Sequence, residues 1–282
     1  MKKRKLDIAV ISDVYLGSHA AHPDELLAYL SSIQPRLLIL NGALIDTSAT
    51  EDLNLPSSHF KVLQKIISMA INGTEVIYIT ANKDDVLRKL ERIQIGTFKI
   101  RSEYVLPIAG KKAWFFHGAS LEPLGIYSKW ISKIGILGFI VLRRFQNVKD
   151  KIFKYIGINK IKPAKDNTTI DTISEEKLRN FEKTVLDLAI AKACDYVICG
   201  HTHQPKKAVF NHRNGSCVYL NSGDWVQNLT ALEYALKRWK VYRYCEDKLS
   251  SFFADEDLKA MDLNEISALG NPKKAKEKRS IN

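Results

Sequence analysis

The chain has 282 residues, 45% of them hydrophobic, with a formal net charge of +12 and four cysteines. That length carries one large domain with a full core and excludes a small disulfide-stapled scaffold. No apolar run approaches the roughly 20 residues that span a bilayer, and Cys194, Cys199, Cys217 and Cys245 lack paired metal spacing, so free thiols in a cytoplasmic protein are expected.

Met1 to Lys5 is basic, but the apolar run that follows is too short for a signal peptide and is bracketed by Asp7 and Asp13. That first run, from Ile8, leads into Asp13-Val14-Tyr15-Leu16-Gly17. A helical pattern spans Pro23 to Ile33. A second run from Leu37 leads into Gly42-Ala43-Leu44-Ile45-Asp46, and another helical pattern covers Ser57 to Ile71. A third run, Val76 to Thr80, leads into Ala81-Asn82-Lys83-Asp84. A fourth, from Ala113, leads into His117-Gly118-Ala119, and the run after Asp195 leads into Gly200-His201-Thr202-His203. Short continuous apolar runs bounded by turns read as strands buried on both faces. Their alternation with helices indicates a layered α/β domain. Ligands in such folds gather beyond the carboxyl ends of the strands, where all five turns sit. Residues i and i+2 at a strand end share a side. His201 and His203 are therefore expected to serve one metal together, or one metal each of a pair. Residues 206–223 and 228–244 read as closing hairpins, with Asn214-Gly215 as the tight turn of the first.

The charge is uneven. Leu121 to Lys165 holds ten Lys or Arg against two acidic residues, together with Trp130, Ile134, Phe139, Phe145, Phe153 and Tyr155. Basic amphipathic helices of this kind contact membrane surfaces. Trp130, Arg143, Arg144 and Phe145 are candidate lipid contacts, and peripheral attachment to the inner face of the cytoplasmic membrane is expected. No nucleic-acid recognition motif accompanies the charge, so nucleic acid is not an expected partner. From about Glu246 to Asn282 the strand pattern ends, and Lys273 to Arg279 reads as a basic tail. His19, His22, His59 and His212 fall in or near turns predicted to lie at the surface and receive no role, and Asp224, in Ser222-Gly-Asp-Trp225, reads as a turn stabiliser near the site.

The five turns, in order and spacing, resemble the calcineurin-like metallophosphoesterases, whose signature is Asp-x-His, Gly-Asp-x-x-Asp, Gly-Asn-His-Asp, a lone His and Gly-His-x-His. The resemblance covers residues 6 to 245. Leu16-Gly17, the long insertion after His117, and Tyr219 to Trp225 with Thr230 to Tyr234 are similar to one branch, the bacterial UDP-2,3-diacylglucosamine pyrophosphate hydrolases of lipid A synthesis. The resemblance implies a four-layer α/β/β/α sandwich over residues 1–245, a helical lid inserted at about 121–165, and an extension over 246–282. It also implies two metal ions that activate a bridging hydroxide.

Carried over residue by residue, the resemblance leaves Asp13, Asn82, His117, His201 and His203 as residual metal ligands. Tyr15 stands where the family has histidine, and Ala43 where it has the aspartate that bridges both metals. Lys83 and Asp84 fall at the catalytic positions, with Lys83 in place of histidine. Asp46 and Asp84 match positions that support the ligands through hydrogen bonds. A neutral tyrosine is a poor ligand, a methyl group is none, and a lysine cation disfavours a dication nearby. A two-metal centre is therefore not expected: no metal, or one manganese or zinc ion. The expected function is that of a pseudoenzyme, inactive or very slow, which binds a phosphorylated or acylated ligand such as an anionic lipid or a UDP-sugar lipid, or regulates an active paralogue. One alternative is an active single-metal hydrolase using Asn82, His117, His201 and Lys83. Another is a membrane-surface interaction module in which the cleft has no role.

Overall fold

In a computed structural model, the described residues are 3–46, 55–81, 94–121, 175–212 and 215–250. The expected lid and its four lipid-contact residues, the turn holding Asn82, Lys83 and Asp84, and the tail all lie outside them.

Strand β1 (Arg4–Ser12) is followed by helix α1 (Pro23–Ser32), β2 (Ile33–Asn41), α2 (Ser57–Ile71) and β3 (Glu75–Ile79). Then come β4 (Gln94–Ile95), β5 (Phe98–Arg101), β6 (Glu103–Ile108), β7 (Lys111–Phe116), α3 (Glu175–Ala191) and β8 (Tyr196–Cys199). Two hairpins close the chain: β9 (Lys206–His212) with β10 (Gly215–Asn221), and β11 (Thr230–Ala235) with β12 (Arg238–Arg243). The strands form a seven-stranded sheet, ordered β12-β11-β1-β2-β3-β5-β4, and a five-stranded sheet, ordered β6-β7-β8-β10-β9. β1, β2, β3 and β5 run parallel, as do β7, β8 and β10.

Three apolar clusters show why these elements stack in four layers. Ala9 and Ile11 point one way from β1, into a cluster with Leu26, Tyr29 and Leu30 of α1 and Val62 and Ile66 of α2. Ile8 and Val10 point the other way and meet Phe115, Ile198 and Leu220 of the second sheet. The far face of that sheet, with Trp114, Val197 and Tyr219, packs on Val185, Leu186 and Ala189 of α3. The order is thus helices, sheet, sheet, helix. Each fully buried side chain of the size of Phe115 or Leu38 contributes about 1.5–3 kcal/mol, and the site-facing ends of β1 and β2, buried on both faces, carry no polar alternation.

Some sequence expectations shift. β2 begins at Ile33, four residues before the apolar run predicts, and includes Pro35. The proline is tolerated because β3 pairs with β2 only from Leu37 onward. The 94–108 segment, not read as strands, supplies β4, β5 and β6. His59 is not in a surface turn: it lies in α2 and is 8% exposed. Cys194, Cys199 and Cys217 are buried and Cys245 is exposed, and all four thiols are free.

Candidate functional site

The carboxyl ends of β1, β2, β7 and β8 meet at one edge of the sandwich, and each is followed by residues of the expected site. Asp13 and Tyr15 follow β1, Gly42 and Ala43 follow β2, His117 follows β7, and His201 and His203 follow β8. The i, i+2 pairs do not follow the strand geometry that the sequence pattern predicts for them. Asp13, Tyr15, His201 and His203 instead have left-handed backbone, with φ of 51°, 52°, 58° and 57°. Outside glycine this conformation costs roughly 1–2 kcal/mol per residue, and it persists here because neighbouring groups hold it. The Ala43 carbonyl accepts the N–H groups of Val14 and Tyr15 at 2.7 and 3.0 Å, and the Leu44 carbonyl accepts that of Leu16 at 2.9 Å. Behind the histidine turn, Asn221 Nδ2 donates to the Gly200 carbonyl at 2.9 Å and to Thr202 Oγ1 at 2.8 Å. The hydroxyls of Ser12 and Ser222 bond to each other across the same region.

Two glycines make the close approach possible. A Cβ on Gly42 would lie 2.2 Å from His117 Nδ1, and one on Gly200 would lie 2.9 Å from Asp13 Oδ2. These contacts leave no room for a side chain at either position.

The turn after β8 separates its histidines into two neighbourhoods. His201 meets His117, with ring centroids 5.3 Å apart, and Phe181 of α3 at 5.9 Å. His203 meets the Tyr15 ring, stacked at 6.1 Å and 21°, and its Nδ1 lies 3.5 Å from Asp224 Oδ2. Asp13 joins the two. Its Oδ2 accepts the His201 backbone N–H at 3.0 Å, and its Oδ1 lies 3.7 Å from His117 Nε2 with no hydrogen-bond partner.

Burial governs the protonation states. It pushes the Asp13 carboxyl up to about 6, against the lowering effects of the His203 charge and the His201 N–H. It pushes His117 down to about 3, helped by the charge of His203, so that imidazole is neutral. Burial pushes the Tyr15 phenol well up, reinforced by the charges of Asp13, Asp46 and Asp224, and the hydroxyl keeps its proton at neutral pH. Burial also opposes charge on His203, but the Asp224 side chain and the Asp13 charge outweigh it and raise its pKa. Burial works against Asp224 as well. Even so, His203, the Gln227 and Val226 N–H groups and the Asn228 side chain together hold it at about 2.

These groups do not fit a pair of divalent ions. Ala43 offers no side-chain donor, and its carbonyl is engaged by two N–H groups. Tyr15 is a neutral phenol. Among the described residues Asp13 is the carboxylate that lies between the histidines, where two dications need several anionic ligands for compensation. Among the described residues no group of three or more His, Cys, Asp or Glu is arranged to hold a metal ion.

Of the expected site residues, the structure brings together Asp13, His117, His201 and His203 with Tyr15 and Ala43. Asp224 was read as a turn stabiliser, and it is one: its Oδ1 accepts the Val226 N–H at 2.8 Å. Its second role, beneath His203, was missed. So was Asn221, which carries no sequence signal of its own. Among the described residues no helix is long and apolar enough to cross a membrane.

Two facing sheets between helices, with motif turns gathered at one edge, define a metallophosphoesterase sandwich. The calcineurin-like phosphoesterase family profile matches residues 6–205, and the chain belongs to that family. It is 26% identical over 209 residues to the UDP-2,3-diacylglucosamine hydrolase of Blochmanniella pennsylvanica, covering 71% of this chain and 80% of that one. It is 24% identical over 256 residues to the hydrolase of the same name from Aliivibrio fischeri, covering 84% and 98%. Among solved structures it aligns with Vps29 of Chaetomium thermophilum at 10% identity, over 86% of this chain and 87% of that one, with a TM-score of 0.41.

Proposed function

We propose that this protein is a divergent relative of the UDP-2,3-diacylglucosamine hydrolases whose two-metal centre is depleted, so that pyrophosphate hydrolysis is absent or very slow. It acts by binding a phosphorylated, acylated ligand at the inner face of the cytoplasmic membrane, either holding a lipid A precursor or regulating an active paralogue. The observation that carries this reading is the pairing of Tyr15 with His203. A protonated phenol stacks on the histidine where the family places a second metal-binding imidazole, while Ala43 removes the bridging carboxylate. The basic, aromatic-rich insertion after His117 supports the acylated ligand by its composition. The test compares binding of UDP-2,3-diacylglucosamine with binding of plain anionic vesicles. Preference for the nucleotide lipid supports the assignment, and equal binding removes the specific ligand.

A second reading is favoured by one observation. Asp13 Oδ1 is buried without a partner, 3.7 Å from the neutral His117 Nε2. The alternative this favours is a single-metal hydrolase whose ion Asn82, His117 and His201 would hold, with the Asp13 carboxylate beside His117. A bound ion would supply Lewis-acid activation of water, and Lys83 would face the phosphate. Loss of one metal and of activity together in His201→Ala would support this hydrolase.

A further inference from the structure

The first turn of α2 carries a histidine that none of the family motifs uses. His59 is 8% exposed, and its Nδ1 accepts the backbone N–H of Gly17 at 2.9 Å. Gly17 sits in the loop that presents Tyr15. Leu16 is bridged to Ile45, and the Ser18 N–H returns to the Tyr15 carbonyl at 3.0 Å. The His59 contact therefore ties that loop to α2 through a side chain. An imidazole nitrogen accepts a hydrogen bond only when it carries no proton, so the loop conformation requires neutral His59.

The surroundings enforce that state. Burial is the main cause that holds the pKa of His59 below its ordinary value; Asp24, from the first turn of α1, opposes it, and His19, in the loop, adds to it. Among the described residues these are the two charged or titratable groups that act on the ring from the elements packed against it. Its own helix contributes too, since the first turn of a helix presents unpaired N–H groups and disfavours a cation.

We propose that His59 is a proton-sensitive latch on the Tyr15 loop. Neutral His59 holds the Gly17 N–H. Protonation releases residues 16–18, and with them the Tyr15 ring from its stack on His203. Because the folded value lies below the unfolded one of about 6.5, the contribution is complete above that pH. It is lost progressively as pH falls toward the folded value. The latch concerns the loop itself and does not rest on the ligand proposed above.

An asparagine provides the test, because its Oδ1 reaches close to the place of Nδ1 and accepts without titrating. NMR of the imidazole nitrogens locates the His59 titration. Amide hydrogen exchange of residues 16–18, corrected for intrinsic rate, is then measured one pH unit above and one below that midpoint. In the unmodified protein, protection is expected to fall ~10-fold across the interval. His59→Asn is expected to keep it at both values, and His59→Phe to lack it at both. Thermal unfolding of His59→Asn checks that the variant is folded. The latch is overturned if the unmodified protein and His59→Asn share one pH profile, or if protection is unchanged when His59 is seen to protonate.

Discussion

The Tyr15 ring stacks on the His203 imidazole, with centroids 6.1 Å apart and planes at 21°, and both residues hold left-handed backbone. The turn after β1 is thus held in shape with an aromatic side chain covering His203. Conformations that cost energy persist at functional sites when the surroundings over-determine them. Here the Ala43 and Leu44 carbonyls do so, through bonds to the N–H groups of Val14, Tyr15 and Leu16.

Placing histidine at position 15 and aspartate at position 43, the residue types the family signature has there, tests whether the turn directs side chains at a metal. Tyr15→His with Ala43→Asp is expected to raise manganese affinity at least ~10-fold, each added ligand supplying donor or charge that the site lacks. Isothermal titration of the chelator-treated protein measures it. Unchanged affinity would mean that the backbone no longer directs these positions at a metal.

Asp13 has a distinct pH signature. Its folded pKa, about 6, lies above the unfolded value of about 3.9. Its ionised form is therefore disfavoured by folding, and the cost grows as pH rises through 6. Asp13→Asn is expected to stabilise the chelator-treated protein by about 1–3 kcal/mol at neutral pH and by little below pH 4. Urea unfolding at the two pH values measures the difference. Destabilisation at neutral pH would show that the carboxylate has a compensating partner.

Asp224 behaves in the opposite sense. Its folded value, about 2, lies below the unfolded one, so its contribution is present above about pH 3.9 and is lost as pH falls toward 2. Asp224→Ala leaves the N–H groups of Val226 and Gln227 and the Asn228 amide without their acceptor. A loss of about 2–4 kcal/mol is expected, together with a lower His203 pKa. Denaturant unfolding and histidine NMR measure the two effects separately.

Gly42 has no tolerance for a side chain. Its φ is 103°, and a Cβ would meet His117 Nδ1 at 2.2 Å. Gly42→Ala is expected to destabilise by about 2–4 kcal/mol through strain and displacement of His117. A stable variant with an unshifted His117 resonance would show that the β2 turn relaxes freely.

The sequence made the strand ends legible because runs such as Ile8 to Ser12 are buried on both faces and stop at polar turns. It left other features out of reach for physical reasons. The left-handed backbone at Asp13, Tyr15, His201 and His203 is set by hydrogen bonds from a neighbouring turn, and none of these residues is a glycine that would announce it. β4 has two residues, and β6 is an edge strand that carries Pro107 and apolar residues on both faces, so neither stands out in the sequence. His59 meets Gly17 across 42 positions in sequence, a contact that no local pattern encodes. Asp224 was legible as a turn residue, whereas its approach to His203 is produced by the fold.

Metal content by mass spectrometry, on protein purified without a chelator or a metal-binding tag and paired with hydrolysis of UDP-2,3-diacylglucosamine in added manganese, decides whether the centre is depleted. The depleted centre predicts at most one ion per chain and no turnover above background. Two tightly bound ions with turnover would contradict it and would place this chain among the working hydrolases of its family.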